Sequence, residues 1–443
     1  MTAPETSKAS GLRRSVSRTT RANIRRFQQD ALLRNSFYLA SSDVTMGALG
    51  FLFWFVCARL YTPSQVGLAT ALISAAGIVS TVGLAGMNKT FIRFLPASRD
   101  RDTQISSGLW IVFLATAAAA TVYLLLVPAI APRLSFVSES PWRALGFVAI
   151  TALAAVNLVT DSVFIAYQKA QYNLLIDGVV QGLTKLVLPF LLIGLGAYGV
   201  FAASGLAATI AVAASVFFII TALEYRPRLG VSLGFLREAW RFSAVSYASS
   251  LLTLCPVFVV PLIVLDERGP SQAGYYYVAF QFAYLLAAFI DAVALSLLAE
   301  GSQEGAELPA LLRRSAKLVA LVSVSSGLLV AVAGHWLLMV FGPTYSHHAT
   351  VALVVLAAAT PAVGLYEWGL AVLFIKKRLR MLLLVNTVFA AVTIGLAIAW
   401  SRNGLGWAAT AWLCGNLCAG IIAAAAATRG TGATNATLDL ARR

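Results

Sequence analysis

Charge is scarce in this chain. Only 12% of its 443 residues are Asp, Glu, Lys or Arg, about half the share a soluble domain carries. A water-facing fold of this length is thereby excluded. Histidine is scarcer still: His335, His347 and His348 are the only three, and their spacing suits no metal centre. Cysteine is limited to Cys57, Cys255, Cys414 and Cys418, all inside apolar runs. Their spacing matches no zinc site, and they read as small packing residues. No GxxxxGK[S/T] phosphate loop occurs, which removes an ATPase domain. The loops between apolar runs are too short for a nucleotide-sugar fold or for the catalytic acids of a membrane glycosyltransferase. The chain therefore reads as a non-enzyme, with no cofactor.

What it has instead is apolar length. The stretch Tyr38 to Pro96 holds two long apolar runs joined by the polar link Arg59 to Gln65, which contains Pro63. Each run approaches the ~20 residues that cross a bilayer as a helix, and the link suits a tight turn. The runs are too long for barrel strands. Twelve such spans are expected, at 37–60, 66–88, 107–130, 144–166, 174–195, 198–222, 241–265, 272–297, 316–341, 350–374, 381–400 and 404–427. The fold class is all-α, a polytopic membrane protein of two six-helix lobes. The expected divisions are a basic tail at 1–36, an N-terminal lobe at 37–223, a linker at 224–240, a C-terminal lobe at 241–428 and a tail at 429–443. The first 35 residues are polar and basic and run straight into a full span, so no cleavable signal peptide is expected.

The net charge of +15 would suggest nucleic acid in a soluble protein. Here Lys and Arg collect on alternate loops. With the N-terminal tail inside, 27 of the 33 fall on the cytoplasmic side and five on the other, with Lys185 inside a span. Both termini are accordingly expected in the cytoplasm of a bacterial inner membrane. The expected partners are anionic lipids rather than nucleic acid, met by the cationic tail.

The two halves resemble each other. Tyr38-Leu-Ala-Ser-Ser42 recurs as Tyr247-Ala-Ser-Ser250, and Pro63-Ser-Gln-Val-Gly67 recurs as Pro270-Ser-Gln-Ala-Gly274 at an offset of 207. The same offset relates Tyr198-Gly199 to Leu405-Gly406 and aligns Ala166-Tyr-Gln-Lys169 with Leu373-Phe-Ile-Lys376. Six spans per copy is even, so both copies face the same way about an axis along the membrane normal. That is a transporter arrangement with the substrate path between the lobes.

The ordered set Ala58-Arg59-Leu60, Thr62-Pro63, Gly67, Gly83-Leu-Ala-Gly86, Arg93-Phe-Leu-Pro96 and Phe341-Gly-Pro-Thr-Tyr345 resembles the polysaccharide exporter and flippase family. That family shares a superfamily with the multidrug and toxin extruders and the lipid II flippases. The resemblance covers about residues 35–428. It implies transport of a polyprenyl-pyrophosphate-linked oligosaccharide or related envelope precursor from the inner to the outer leaflet. Glycosyltransferases or a polymerase of the same pathway would be partners. The chain departs from many relatives in having twelve spans rather than fourteen, and in Phe242-Ser-Ala-Val-Ser246 where relatives often carry Gly or Pro. A cation-coupled extruder of drugs is the alternative.

Charges inside spans are the candidate site residues, because a lipid-exposed charge is costly. Lys185, in the fifth span, suits the anionic head of a substrate. Arg59, Lys89 and Arg93 sit at span ends and are further candidates for phosphate, or are snorkelling anchors. Arg59 aligns with Asp266, so the lobes present opposite charges at the outer rim. Asp43, Asp161, Asp177, Asp291 and Glu367 fall in the inner half of the membrane and are candidates for a coupling proton or sodium ion, or for ion pairs. Asp161 and Glu367 are near repeat partners. Pro189, Pro256, Pro261 and Pro361 lie inside spans, where each removes a helical hydrogen bond. The topology is testable. Reporter fusions after residues 62, 98, 138, 170, 268 and 428 should alternate outside, inside, outside, inside, outside, inside; an external C-terminus would refute the assignment.

Overall fold

The computed structural model describes residues 31–98, 100–228, 233–301 and 308–428. Among them the regular elements are all helical. Twelve long helices follow in order: α1 (Ala31–Leu60), α2 (Pro63–Leu84), α3 (Arg101–Ile130), α4 (Pro141–Ala166), α5 (Gln171–Leu191), α6 (Ala197–Ala222), α7 (Leu233–Arg268), α8 (Pro270–Gly301), α9 (Leu308–Phe341), α10 (Pro343–Ile375), α11 (Leu379–Trp400) and α12 (Leu405–Thr428). Eleven candidate membrane spans are found among the described residues, and α8 occupies the place of the remaining expected one. Most of the basic tail and the residues after Thr428 lie outside the described residues.

The helices outrun the hydropathy signal at one end of the bundle. α7 begins at Leu233 rather than 241, and α9 at Leu308 rather than 316. Hydropathy marks only the part of a helix that matches the hydrocarbon, while backbone hydrogen bonding continues past it. α10 is interrupted at Ala359, and Pro361 stands in the first turn of its second half, where the missing N–H is harmless.

The Thr62-Pro-Ser-Gln65 motif is a helix start. The Thr62 hydroxyl accepts from the Gln65 N–H at 3.3 Å, and the Gln65 side chain accepts from the Thr62 N–H at 3.0 Å. This reciprocal box, with Pro63 in the first turn, fixes where α2 begins. At its other end, left-handed Ala85 (φ 46°) and Gly86 (φ 77°) turn the chain into a short helix, Met87–Phe94. Its Met87, Thr90 and Phe91 are buried, while Lys89, Ile92 and Arg93 are exposed.

The lobes meet at the end of the bundle that carries the α1–α2 and α7–α8 turns. α2 and α8 pack there backbone to backbone and reciprocally. A Cβ on Gly67 would lie 1.8 Å from the Pro270 carbonyl oxygen, and one on Gly274 would lie 2.3 Å from that of Pro63. Pro63 and Pro270, like Gly67 and Gly274, are repeat partners, so this is a local two-fold contact. Around it, Trp54 of α1 packs edge-on against Tyr277 of α8 at 4.7 Å, and Phe51 against Phe282 at 5.1 Å. The other half of α1 leaves Asp43, Val44, Met46, Gly47 and Ala48 exposed. α2 stays on α7 throughout: Phe258 reaches the backbone at Gly77, and the Tyr247 hydroxyl donates to the Val82 carbonyl at 3.1 Å.

The repeat extends to loop geometry, with a shift. Gln168 and Lys377 both take positive φ (55° and 54°), and the N–H of the next residue bonds back to Phe164 and Leu373 respectively, each at 2.9 Å. The structural counterpart of Lys169 is therefore Arg378, at an offset of 209, not Lys376. Apolar runs on either side carry no register, so only the turn geometry reveals the two-residue shift. Both basic loops cap the last helix of their lobe. Lys169 donates to the Ala222 carbonyl at 2.5 Å, Arg378 to Ala426 at 2.9 Å, and Lys376 to Ala427.

Gly67→Ala or Gly274→Ala should force the lobes apart and destabilise the protein by about 1–3 kcal/mol, the cost of overpacking. Gly47→Ala, with nothing near the added methyl, should be neutral. Thermal unfolding of the purified variants in detergent measures both.

Candidate functional site

The N-terminal lobe holds a polar node between α4 and α5. The first part of α5, Leu174–Gln181, is wound as a π-helix, a geometry that recurs at functional positions. It points Asp177 inward, where the side chain is 3% exposed. The Asn157 amide of α4 donates to the Asp177 carboxylate at 2.9 Å. The Asp161 carboxyl, one turn along α4, lies near enough to Asp177 for the two to interact electrostatically. Asn173 donates to the Asp161 backbone carbonyl at 3.4 Å. Asp43 of α1 is within electrostatic range of Asp161, and its own side chain is exposed.

This node is rich in acceptors and poor in donors. Oδ1 of Asn157, Oδ1 of Asp161, Oδ1 of Asn173 and Oε1 of Gln181 are buried without a hydrogen-bond partner. Two carboxyls this near each other in a low-dielectric span cannot both stay ionised unless something positive lies between them. A proton shared by the pair, or a small cation held by these oxygens, fits the arrangement. Two of the expected acids, Asp161 and Asp177, thus come together, with Asp43 acting on Asp161 only electrostatically; the sequence alone did not show that they converge.

Lys185 follows Asp177 by two turns on α5 and interacts with it electrostatically. Lys185 as a whole residue is half-buried. It has no hydrogen bond or ion pair to any described residue. α5 lies against α1 here: Leu49 packs on the Gly182 backbone and Thr45 on Gly178. Lys185 is about 9 Å from the end of α5 at 1.5 Å per residue.

The remaining candidates are dispersed. Lys89 and Arg93 lie on the exposed face of the short helix, where Arg93 sits 5.6 Å over the Phe94 ring. Arg59 is at the opposite end of the bundle; its guanidinium donates to the Val340 carbonyl at the end of α9, Nε at 2.9 Å. It does not pair with Asp266. The backbone of Asp291 belongs to α8, while its side chain lies outside the described residues. Glu367 is half-buried in α10.

Glu367 is not the structural partner of Asp161. At the offset of 209, Asn157 and Asp177 map onto Tyr366 and Asn386, and these two are also bonded: the Tyr366 hydroxyl donates to the Asn386 side-chain oxygen at 2.9 Å. Asn386 donates onward to the Ser249 hydroxyl of α7 at 2.7 Å. Each lobe therefore carries one fourth-to-fifth helix node, charged in the first and neutral in the second. The neutral node has no charged residue, which is why a search for intramembrane charge misses it.

Residues 32–299 match the family described as polysaccharide biosynthesis protein. No protein of curated function matches the chain at a significant level. Among solved structures, the chain is similar to an inward-facing multidrug resistance transporter of the MATE family and MOP superfamily. The TM-score is 0.69 at 15% identity, covering 89% of this chain and 96% of that one. An outward-facing conformation of such a transporter matches at a TM-score of 0.62 and 15% identity, over 92% and 96% of the two chains. The lipid II flippase MurJ in an inward closed conformation matches at a TM-score of 0.69 and 12% identity, over 87% and 86%.

The two nodes predict a contrast. Asp177→Asn should leave stability nearly unchanged, since the equivalent position in the other lobe is Asn386 in a bonded network. Asp177→Ala and Asn386→Ala should each cost about 1–3 kcal/mol by stranding buried polar groups. Unfolding midpoints of the purified variants decide; an Asn variant as unstable as the Ala variant would show that the carboxylate itself holds the lobe.

Proposed function

Because the chain belongs to the polysaccharide biosynthesis protein family, we propose that it flips a polyprenyl-pyrophosphate-linked oligosaccharide, or a related envelope glycan precursor, across a bacterial inner membrane by alternating access. The observation that carries this reading is Lys185. An ammonium within a span, with no ion-pair or hydrogen-bond partner among the described residues, is a costly feature. An anionic head group passing between α1 and the rest of the lobe would repay the cost. Lys89 and Arg93 at one end of the bundle and Arg59 at the other extend the cationic series in both directions.

With both termini in the cytoplasm, the turn end is the outer face. The reciprocal α2–α8 contact then closes the outside, and the exposed half of α1 lies toward the inside. On this reading the arrangement is inward-facing. The Asp43, Asp161 and Asp177 group, with the amide oxygens of Asn157, Asn173 and Gln181, is the place for a coupling proton or sodium ion. Occupancy there would neutralise the node and change how α1 and α5 pack. Lys185, two turns away, would feel that change through Asp177.

Lys185→Ala should abolish transport with protein levels near normal, and Lys185→Arg should retain part of it. A deletion strain should accumulate a lipid-linked glycan in the inner leaflet and lose the surface polymer. Unchanged surface glycan, together with sensitivity to cationic dyes that the gene relieves, would overturn this reading in favour of a drug extruder.

A further inference from the structure

Two contacts at the turn end are related by the repeat, and their characters differ. Arg59 closes α1, and its guanidinium grips the Val340 carbonyl with Nε at 2.9 Å and Nη2 at 2.5 Å. That carbonyl belongs to the last turn of α9, where unpaired carbonyls and the helix dipole favour a cation. Beneath it, Phe341 of α9 is 1% exposed. Its ring packs edge-on against Phe51 and Phe55 of α1, at 5.3 and 5.8 Å. Cys57, two residues beyond Phe55 on α1, is fully buried. This side is dry.

At the offset of 207, Arg59 maps onto Asp266 and Val340 onto Arg133. Asp266 and Arg133 come to the same cavity from opposite lobes, at the end of α7 and just past the end of α3. They line one cavity of about 100 Å³ with Tyr123, Leu262 and Leu265. They form no ion pair within 4 Å, and the Tyr123 hydroxyl on the cavity wall has no hydrogen-bond partner. Glu267 beside them is turned away to Arg402, at 2.6 Å. Apolar side chains make most of its wall, and the two charged side chains at its rim are exposed, so water reaches it from that end. This side is wet.

We propose that these are two latches of one outer gate, unequal by construction. The α1–α9 latch, Arg59 on the helix end over the phenylalanine seal, holds the lobes together. The α7–α3 contact is a weak, hydrated twin where opening begins. The lobes then swing about the α2–α8 contact, and release of Arg59 completes the opening. The inference rests on reading the chain as an alternating-access carrier, and it adds the order in which the gate parts.

Thiol labelling tests it without any substrate. The full chain in detergent, with Cys255, Cys414 and Cys418 replaced by Ala, keeps Cys57 as a reporter of the dry side. Leu265→Cys in a background that also carries Cys57→Ala reports the wet side. A water-soluble maleimide should modify the Leu265→Cys protein at least about tenfold faster than Cys57. Arg59→Ala should raise the Cys57 rate about tenfold or more, the scale of a lost hydrogen bond to a charged group. Arg59→Lys should fall between, and Asp266→Asn should leave the Cys57 rate within about twofold. A Cys57 rate unmoved by Arg59→Ala, or moved equally by Asp266→Asn, overturns the unequal latch. If neither Arg59 variant elutes as a monodisperse protein, Arg59 is a folding residue and the latch is likewise overturned. Deletion-strain glycan analysis tests the transport reading separately, so the two can fail independently.

Discussion

The structure depends on one close contact. Two helices whose first turns each carry a glycine meet so tightly that neither position has room for a methyl group, and the carbonyl of each proline faces the glycine of the other. In a membrane no hydrophobic force draws helices together, so close backbone approach and dispersion must do it. A contact that is its own mirror under the repeat sets the relation of the lobes. It also explains why Pro-Ser-Gln-x-Gly is kept in both halves while most of the surrounding sequence has drifted. The capping box starts α2 in register, proline fixes the first turn, and glycine lets α8 approach. Removing any of the three would change how the two lobes meet.

From that shared frame the lobes have diverged in what they bury. Both bond helix four of the lobe to helix five at the same place. In the first lobe the bond is Asn157 to Asp177, with Asp161 and Asp43 added; in the second it is Tyr366 to Asn386, with Ser249 added. The structural job of joining the helices is done equally well by the neutral set. The carboxyls of the first lobe are therefore surplus to packing, and a buried surplus charge is costly enough to require a use. The orphan oxygens around it point the same way, since every buried acceptor without a donor is a position where a proton or cation gains something.

The sequence made the architecture legible because apolar length, turn chemistry and loop charge are local signals. The helices, the capping box at Thr62 and the paired motifs at Pro63 and Pro270 could all be read from neighbouring residues. What could not be read was convergence. Asp161 and Asp177 are on different helices, and nothing in the spacing shows that a π-helical turn aims one at the other. Register inside apolar runs was equally hidden. The offset of 207, true for Gly67 and Gly274, becomes 209 at Gln168 and Lys377, and with that shift the pairing of Asp161 with Glu367 dissolves. Tyr366 and Asn386 went unnoticed because they carry no charge. Arg59 was legible as a cation at a span end, but its partner is a backbone carbonyl 281 residues away, which no residue pattern encodes.

Charge placement and the two-fold contact then act on each other. A symmetric pair of lobes about a symmetric contact has no preferred direction of opening. Direction has to come from differences between the halves, and the differences are electrostatic. The first lobe holds the acids and Lys185; the second holds a neutral node. At the rim, the first lobe offers Arg59 to a helix end, while the second offers Asp266 to a water-sized cavity. α1 packs against α5 beside the acids, and α1 is also the helix that Arg59 fastens to α9. The same helix thus runs from the acidic node of the first lobe to the contact that Arg59 makes with α9. A helix of 30 residues is stiff enough to carry a tilt from one end to the other, so in the mechanism proposed above a change at the acidic node and a release of Arg59 would be one motion of α1.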